Sequence, residues 1–337
     1  MIDILVAGGG PAGLAAAIRA AMAGLEAVVL EPRPTPVDKA CGEGIMPSGV
    51  AALRALGVTP AGSELRGIRY VEGPRQAEAA FRGGPGLGVR RTELHTALHR
   101  RAQELGVRLV ADRAGEVRQG HDSVTTAGLT ARWLIAADGL HSPLRRELGL
   151  ERPCTAPRRY GQRRHYRTAP WTDLVEVHWS RHGEAYVTPV GEGLVGVAVL
   201  SRHRGSHEQH LSAFPALAHR LHGLEAGAVR GAGPLRRSAS APGAGRILLA
   251  GDAAGYVDAL TGEGIALAAA TASAAVDCIA EGRPEAYPAR WAQLTRRHRL
   301  LTGALLGAAG HPWTAGLIVP AAQRLPSLFG AAVRALQ

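Results

Sequence analysis

The chain has 337 residues, 46% of them hydrophobic, enough for a large core and two closely joined domains. Its net charge of +11 is almost all arginine, scattered as short pairs such as Arg90-Arg91, Arg163-Arg164 and Arg236-Arg237, and aromatics are only 4% of the residues. Without a long basic tract or many stacking side chains, no nucleic-acid partner is expected, and the charge reads as a solvated surface weakly attractive to anionic ligands or membranes.

In chain order, Ile2–Ala7 is apolar apart from Asp3, the pattern of a strand buried on both faces. Gly8-Gly9-Gly10-Pro11-Ala12-Gly13 follows, a G-x-G-x-x-G, and then the alanine-rich helical stretch Leu14–Met22. A second apolar strand, Ala27–Leu30, ends on Glu31. Strand, glycine turn, helix, strand and acid stand in the order a dinucleotide site needs. Gly8 permits the tight turn, Gly10 lets a pyrophosphate approach the backbone, and Gly13 lets helix and strand pack closely. Glu31 is placed to accept hydrogen bonds from a ribose. The motif alone does not separate NAD from FAD. The apolar start breaks at Gly8 with no basic leader, no stretch is long enough to span a bilayer, and Cys41, Cys154 and Cys278 form no metal or disulfide spacing. A cytoplasmic protein is expected.

Three prolines make Pro32–Val37 an extended loop. It runs into Lys39-Ala40-Cys41-Gly42-Glu43-Gly44, where Lys39 is the sole lysine of the chain, and Ser48 is expected to cap a short helix, Gly49–Leu56. Arg66–Val71 and Gln76–Phe81 read as paired strands, Gly83–Gly88 as a loop, and Thr92–Leu105 as an amphipathic helix. Val107–Val110, a hairpin around Glu116–Gln119 and Ser123–Thr126, and Trp133–Ala137 are further strands; the last ends in Asp138-Gly139-Leu140-His141-Ser142. From Arg158 the pattern alternates through Tyr160–Arg167, Leu174–Trp179, Ala185–Val190 and Leu194–Leu200, which predicts an antiparallel sheet with one wet face. A single helix over His207–Leu221 follows, and Arg246–Ala250 returns as a buried strand. Asp252, at its end, is placed to bind a polyol such as ribityl. Gly262-Glu263-Gly264 precedes the helix Ile265–Ala280, whose free amides could meet an electron-rich ring edge. The apolar residues of the helical tail after Pro288 read as core cover, with a membrane-leaning surface as the alternative.

Together these pieces resemble the p-hydroxybenzoate hydroxylase-like FAD superfamily over roughly residues 1–285. The carriers are Gly8-x-Gly10-x-x-Gly13, then Ala137-Asp138-Gly139 with Ser142 and Arg145, then Gly251-Asp252-Ala253-Ala254 with Gly262-Glu263-Gly264; Arg91-Thr92-Glu93-Leu94 also matches. The resemblance implies an α/β fold: a Rossmann-like (GR2-type) FAD-binding domain, an antiparallel β-sheet substrate domain and C-terminal helices. The boundaries expected are 1–65, 86–157 and 241–287 for the first, 66–85 and 158–240 for the second, and 288–337 for the tail. It implies tightly bound FAD held by Gly8, Gly10, Pro11, Ala12, Gly13, Glu31, Arg33, Lys39, Ala40, Arg91, Asp138, Gly251, Asp252, Gly262, Gly264 and Ile265, with NAD(P)H as a transient reductant.

Within the superfamily, Lys39-Ala40-Cys41-Gly42-Glu43-Gly44 and Gly255-Tyr256-Val257-Asp258 are similar to the geranylgeranyl reductase branch. That branch's Y-x-W-x-F-P is represented only by Tyr186 and Pro189, the two residues expected in the substrate pocket, and the halogenases' W-x-W-x-I-P is absent. Cys41 is the one catalytic candidate, a thiolate favoured by Lys39 and the glycine amides, with plain packing as the alternative. The reading is therefore an NAD(P)H-dependent monooxygenase, with O2 as co-substrate, acting on a lipophilic polyketide-, phenol- or isoprenoid-like molecule. The alternatives are a flavin ene-reductase and a non-catalytic FAD-binding or electron-carrier protein. A peripheral membrane contact is compatible with each.

Overall fold

The computed structural model describes residues 1–335; the last two residues of the predicted tail, 336 and 337, lie outside them. One sheet has a parallel centre in the order Ile247–Leu249, Leu129–Ala136, Ile2–Ala7, Ala27–Leu30 and Arg108–Val110. Its centre is apolar on both faces, as a sheet covered on both sides requires. The helices Pro11–Met22, Arg91–Glu104 and Gly264–Ala280 pack their alanine and leucine faces on one side. The small side chains let helix and helix approach closely. The consequence for function is positional. The glycine turn, Glu31, Asp138 and Asp252 each follow directly on one of these parallel strands, so four separate segments converge at the sheet's carboxyl edge.

The second sheet runs Arg230–Ala232, Tyr160–Arg167, Leu194–Ser201, Gly183–Gly191, Leu174–Ser180, Gly67–Glu72 and Arg75–Ala80. It is antiparallel except at one place: Leu174–Ser180 lies parallel to Gly67–Glu72, with Leu174 opposite Gly67. The predicted wet face is corrected. Val187, Val195, Val197 and Val199 are covered by Leu211, Phe214, Leu217 and Leu221, while Val175, Val177, Tyr186 and Leu200 on the other face belong to a second buried cluster.

Smaller corrections have local causes. The helix predicted over His207–Leu221 is two, His207–Leu211 and Pro215–Leu221, because Pro215 cannot donate within a continuous helix and opens a new one instead. Pro47 likewise opens the helix Pro47–Ala55 behind Met46, so Ser48 falls inside it and caps nothing. The glycine loop contains a short strand, Gly86–Gly88, between Gly44–Ile45 and Ser63–Leu65. In the tail, Tyr287–Gly310 packs on Gly264–Ala280, and Val319, Phe329 and Val333 join the second cluster. Leu300, Trp313, Leu317 and Leu328 stay outside, with Trp313 82% exposed, so the tail divides between core cover and open apolar surface.

Candidate cofactor and substrate site

A cavity of about 800 Å³ runs from the glycine turn, past the Lys39–Gly44 segment, to the inner face of the second sheet. Gly10, Pro11, Ala12, Arg33, Lys39, Ala40, Cys41, Arg91, Asp138, Asp252, Gly262, Gly264, Ile265 and Tyr186 line it. Gly8, Gly13, Glu31, Gly251 and Pro189 do not.

The three glycines of the turn have different jobs. Gly8 has a φ of 103°, and a Cβ there would stand 2.6 Å from the Ala137 carbonyl. A Cβ on Gly13 would stand 1.8 Å from the Gly8 carbonyl, so helix and strand could not meet. At Gly10 a Cβ would find only an Arg91 nitrogen 4.0 Å away, so that backbone lies bare to the cavity. The Gly9 amide donates to Glu31 Oε2 at 2.9 Å, and Arg33 Nε and Nη2 donate to the two carboxylate oxygens at 2.7 Å each. Burial alone would raise the Glu31 carboxyl, but the bonds from Arg33 and from the Arg33 and Gly9 amides bring it below its ordinary value. His95, one turn beyond Arg91, completes this end: its Nε2 lies 2.9 Å from the Gly9 carbonyl. A carbonyl only accepts, so Nε2 carries the proton. Burial and the Arg91 charge lower the imidazole to about 4.

The residues fit FAD. Arg91 is buried, yet its Nη1 finds no partner, and neither does Asp138 Oδ1. Orphaned buried groups of this kind need an explanation, and a phosphate for the guanidinium and a hydroxyl for the carboxylate supply one. Asp252, raised by burial against the pull of Lys39, Arg91 and Arg145, lines the middle of the cavity. Lys39 is lowered, chiefly by burial. The helix Gly264–Ala280 begins without a side-chain cap, so its first amides remain available at the cavity wall. The Ser142 and Arg145 pair is a brace behind the site. Ser142 caps the short helix Pro143–Glu147 through the Arg145 amide. The Arg145 side chain, fully buried, donates to the carbonyls of Ala253 and Leu140 at 2.9 Å each and ties two fingerprints together.

The Lys39–Gly44 turn is held to the second sheet by a residue that the sequence did not single out. Glu43 adopts a φ of 61° and is buried. Its carboxylate accepts from the Arg91 amide at 2.9 Å and sits 2.7 Å from His165 Nε2. Arg163, which can only donate, approaches His165 Nδ1 at 3.2 Å, so the proton of this imidazole lies on Nε2 and points at Glu43. Arg163 also bonds Asp38, at the mouth of the turn. Thr188 of the sheet donates to the Gly42 carbonyl at 2.9 Å.

For Cys41 the expected electrostatics are reversed. Burial, and then the Glu43 charge, push its thiol up, not down. Lys39 does not offset them, and the sulfur accepts the Glu43 amide at 3.4 Å. The thiol form is the resting one.

One wall of the far half of the cavity is apolar, lined by Met46, Ile68, Val175, Val177, Leu200 and Leu260, while Gln162, Arg163, His203, Arg204 and His210 also line the cavity. Tyr186 lines it, and its hydroxyl donates to the Leu260 carbonyl at 2.9 Å. Pro189 is buried in its strand instead, with its carbonyl over Gly88, so it does not face the cavity. Of the other aromatic and imidazole side chains of this sheet, Tyr160 lines the cavity, His165 holds Glu43, and Tyr166 and Trp179 belong to packing clusters. Tyr70, unmarked in the sequence, adds a hydroxyl to this wall, and its ring packs on Phe329 with centroids 4.7 Å apart. Near it lies a buried charge cluster in which Arg159 meets Glu184 at 2.6 Å and Asp258 at 3.0 Å.

Comparison with known proteins agrees with this geometry. A family model described as FAD binding domain matches residues 1–290. The menaquinone reductase of Mycobacterium tuberculosis is 33% identical, over 78% of this chain and 72% of that protein. Digeranylgeranylglycerophospholipid reductase 2 of Methanothermobacter thermautotrophicus is 30% identical, over 83% of this chain and 78% of its own length. Among solved structures, a flavoprotein/dehydrogenase from Cytophaga hutchinsonii superposes with a TM-score of 0.84 at 17% identity, covering 99% of this chain and 92% of that one. The p-nitrophenol 4-monooxygenase PnpA of Pseudomonas putida does so with 0.80 at 18%, covering 99% and 98%. The chain belongs to the FAD-binding-domain family and is an FAD-dependent oxidoreductase of the p-hydroxybenzoate hydroxylase-like superfamily, in its geranylgeranyl reductase-like branch.

Proposed function

We propose that the protein is an FAD-dependent reductase of a lipophilic isoprenoid- or quinone-like molecule, with NAD(P)H as its reductant. The observation that carries this reading is the pairing of an apolar cavity wall with relatives whose names are those of reductases for such molecules. It reverses the order of preference drawn from the sequence, where monooxygenation came first.

FAD, when bound, supplies the electron chemistry, and the chain supplies position and environment. Gly10 and Arg91 would hold the phosphates and Asp252 a polyhydroxyl part, and the first amides of Gly264–Ala280 would meet the ring edge. Glu31, bonded to Gly9 and Arg33, braces the turn behind them. The wall from Met46 to Leu260 excludes water from the substrate and gathers an apolar chain against the Lys39–Gly44 turn. The thiol of Cys41 and the hydroxyls of Tyr70 and Tyr186 stay protonated, because burial raises all three. Cys41 and Tyr70 are neutral donors at this wall, whereas the Tyr186 proton is held by the Leu260 carbonyl.

We assign the exposed apolar side chains of the tail, Trp313, Leu317, Leu325 and Leu328, to membrane approach. Among the described residues no helix is long and apolar enough to cross a membrane.

Monooxygenation is the second reading, favoured by the fold shared with PnpA. The deciding experiment gives the purified enzyme NADPH and a short-chain menaquinone, with and without oxygen-18 gas. A product carrying added hydrogen and no label, formed equally without oxygen, supports reduction. Label in the product would overturn it.

A further inference from the structure

A second cavity of about 730 Å³ lies behind the first, between the long tail helix Tyr287–Gly310 and the Gly251–Val257 segment. Arg236, Arg296 and Arg299, all exposed, stand at its mouth. The two cavities share a wall made of Asp252, Tyr256, Gly264 and Ala268. One polar path crosses from cavity to cavity beside that wall. Thr261 lines the main cavity, and its Oγ1 lies 3.3 Å from Nδ1 of His298, which lines the second. The same Nδ1 lies 2.7 Å from Glu263 Oε2, and Thr302 Oγ1 lies 3.0 Å from Thr261 Oγ1. His298 is 5% exposed.

The direction of the bonds follows from their chemistry. A carboxylate accepts and does not donate, so Nδ1 carries the imidazole proton and gives it to Glu263. Nε2 is left with its lone pair, and it makes no hydrogen bond to any described residue. Neither His298 nor Thr302 falls within the residues matched by the family model, which ends at 290, so family membership supplies no role for them.

We propose that His298, Glu263 and Thr261 form a proton port, carrying a proton from the second cavity to the main one at its Gly262–Gly264 end. In the step, His298 Nε2 takes a proton from water in the second cavity. The Nδ1 proton, shared between Glu263 and the longer contact to Thr261 Oγ1, moves onto Thr261 as the hydroxyl proton of Thr261 passes on to the acceptor in the main cavity. At His298 one N–H bond forms and one breaks, and at Thr261 one O–H bond forms and one breaks. The O–H bond of the donating water breaks to leave hydroxide to the solvent, a bond to hydrogen forms at the acceptor, and no electrons move. Glu263 stabilises the imidazolium between the two transfers. The opposing charges are the guanidiniums of Arg296 and Arg299 on the same helix and of Arg236 and Arg237 on the facing segment, with Asp252 on the shared wall. Reduction of a quinone or an alkene consumes a proton as well as electrons, and this path delivers it without opening the apolar wall to water. The inference rests on the reading that the flavin ring lies at Gly262–Gly264.

The test uses the FAD-loaded protein, reduced with dithionite under nitrogen and mixed with menadione. His298→Ala is expected to keep its flavin and to lose about tenfold or more in the rate of menadione reduction, at the low end of general acid–base contributions. Added imidazole should enter the space left behind and restore the rate saturably. Thr261→Val, which keeps the side-chain shape, should show the same loss without rescue, and it carries the test should His298→Ala not fold. A second readout needs neither flavin nor turnover: nitrogen-15 spectra of the apoprotein should show His298 protonated on Nδ1. Unchanged rates in both variants, a slow His298→Ala that imidazole does not restore, or an Nε2-protonated tautomer would each overturn the port. The underlying placement is tested separately by Gly264→Val, whose Cβ would meet only Tyr256 at 3.8 Å. Flavin affinity unchanged by that substitution would remove the ring from this wall, and the proposal with it.

Discussion

The two halves of the main cavity are built by different means. The nucleotide half is made of backbone: a glycine turn, helix starts, and strand ends that converge because the sheet is parallel. The substrate half is made of side chains, valines, leucines and tyrosines drawn from strands far apart in the sequence and closed over by the tail. A backbone site tolerates no change at its glycines, because the geometry itself does the binding. A side-chain wall tolerates a methyl more or less and sets only which apolar shape is accepted.

The largest expected effect is therefore at Gly13. With its Cβ 1.8 Å from a carbonyl oxygen, Gly13→Val requires strand and helix to separate. A loss above about 4 kcal/mol and a colourless protein are expected, read by urea unfolding and flavin absorbance. A yellow, stable variant would dissolve the distinction between the halves.

Next comes the charge cluster near the substrate half. Arg159→Met leaves Glu184 and Asp258 buried without their cation, which should cost about 3–5 kcal/mol in the same unfolding assay. Flavin affinity measured below the unfolding transition should stay near that of the wild type, because the cluster touches no nucleotide contact. A selective loss of flavin would join the two halves into one unit.

A smaller effect is tied to pH. His95 is neutral in the fold, its imidazole lowered from 6.5 to about 4, whereas the unfolded chain takes up that proton at higher pH. Its contribution to stability is thus fully present above pH 6.5 and is lost as the pH falls toward 4. The apoprotein's melting temperature should drop over that window. His95→Gln, which retains an N–H for the Gly9 carbonyl, should flatten this part of the profile. Equal slopes for the two proteins would separate His95 from the turn.

The smallest effect is expected at Cys41. Its thiol is raised by burial and by Glu43, so iodoacetamide should label it more slowly at neutral pH than a free cysteine peptide. Cys41→Ala should keep its flavin and change turnover by no more than about twofold, as for a small packing residue. A collapse of turnover with flavin intact would restore the catalytic assignment.

The difference between the halves also decides what could be read in the sequence. The turn, Glu31, Asp138 and Asp252 were legible because each follows its strand directly, and local spacing fixes where such residues go. Arg91 was found by motif, and His95 could have been, since it lies four residues on along the same helix face. Glu43 left no local mark: its partners Arg91, Arg163 and His165 come from 48 to 122 residues away. The parallel pairing of Leu174–Ser180 with Gly67–Glu72 is non-local in the same way, and alternation reports burial without saying which neighbour lies alongside. The helix ends went astray wherever a proline set the start, at Pro47 and Pro215, against a weaker polar signal.

The division between a backbone-built cofactor half and a side-chain-built substrate half is tested most directly by titrating FAD into two apoproteins side by side. Arg91→Met removes, at the nucleotide end, a buried guanidinium whose Nη1 has no partner among the described residues. Tyr186→Phe removes a hydroxyl that, among the described residues, bonds only the Leu260 carbonyl in the substrate half. FAD affinity reduced about tenfold or more in the first, the equivalent of 1.4 kcal/mol or beyond, and unchanged in the second is the predicted result. Equal losses in both, or full affinity in Arg91→Met, would contradict it.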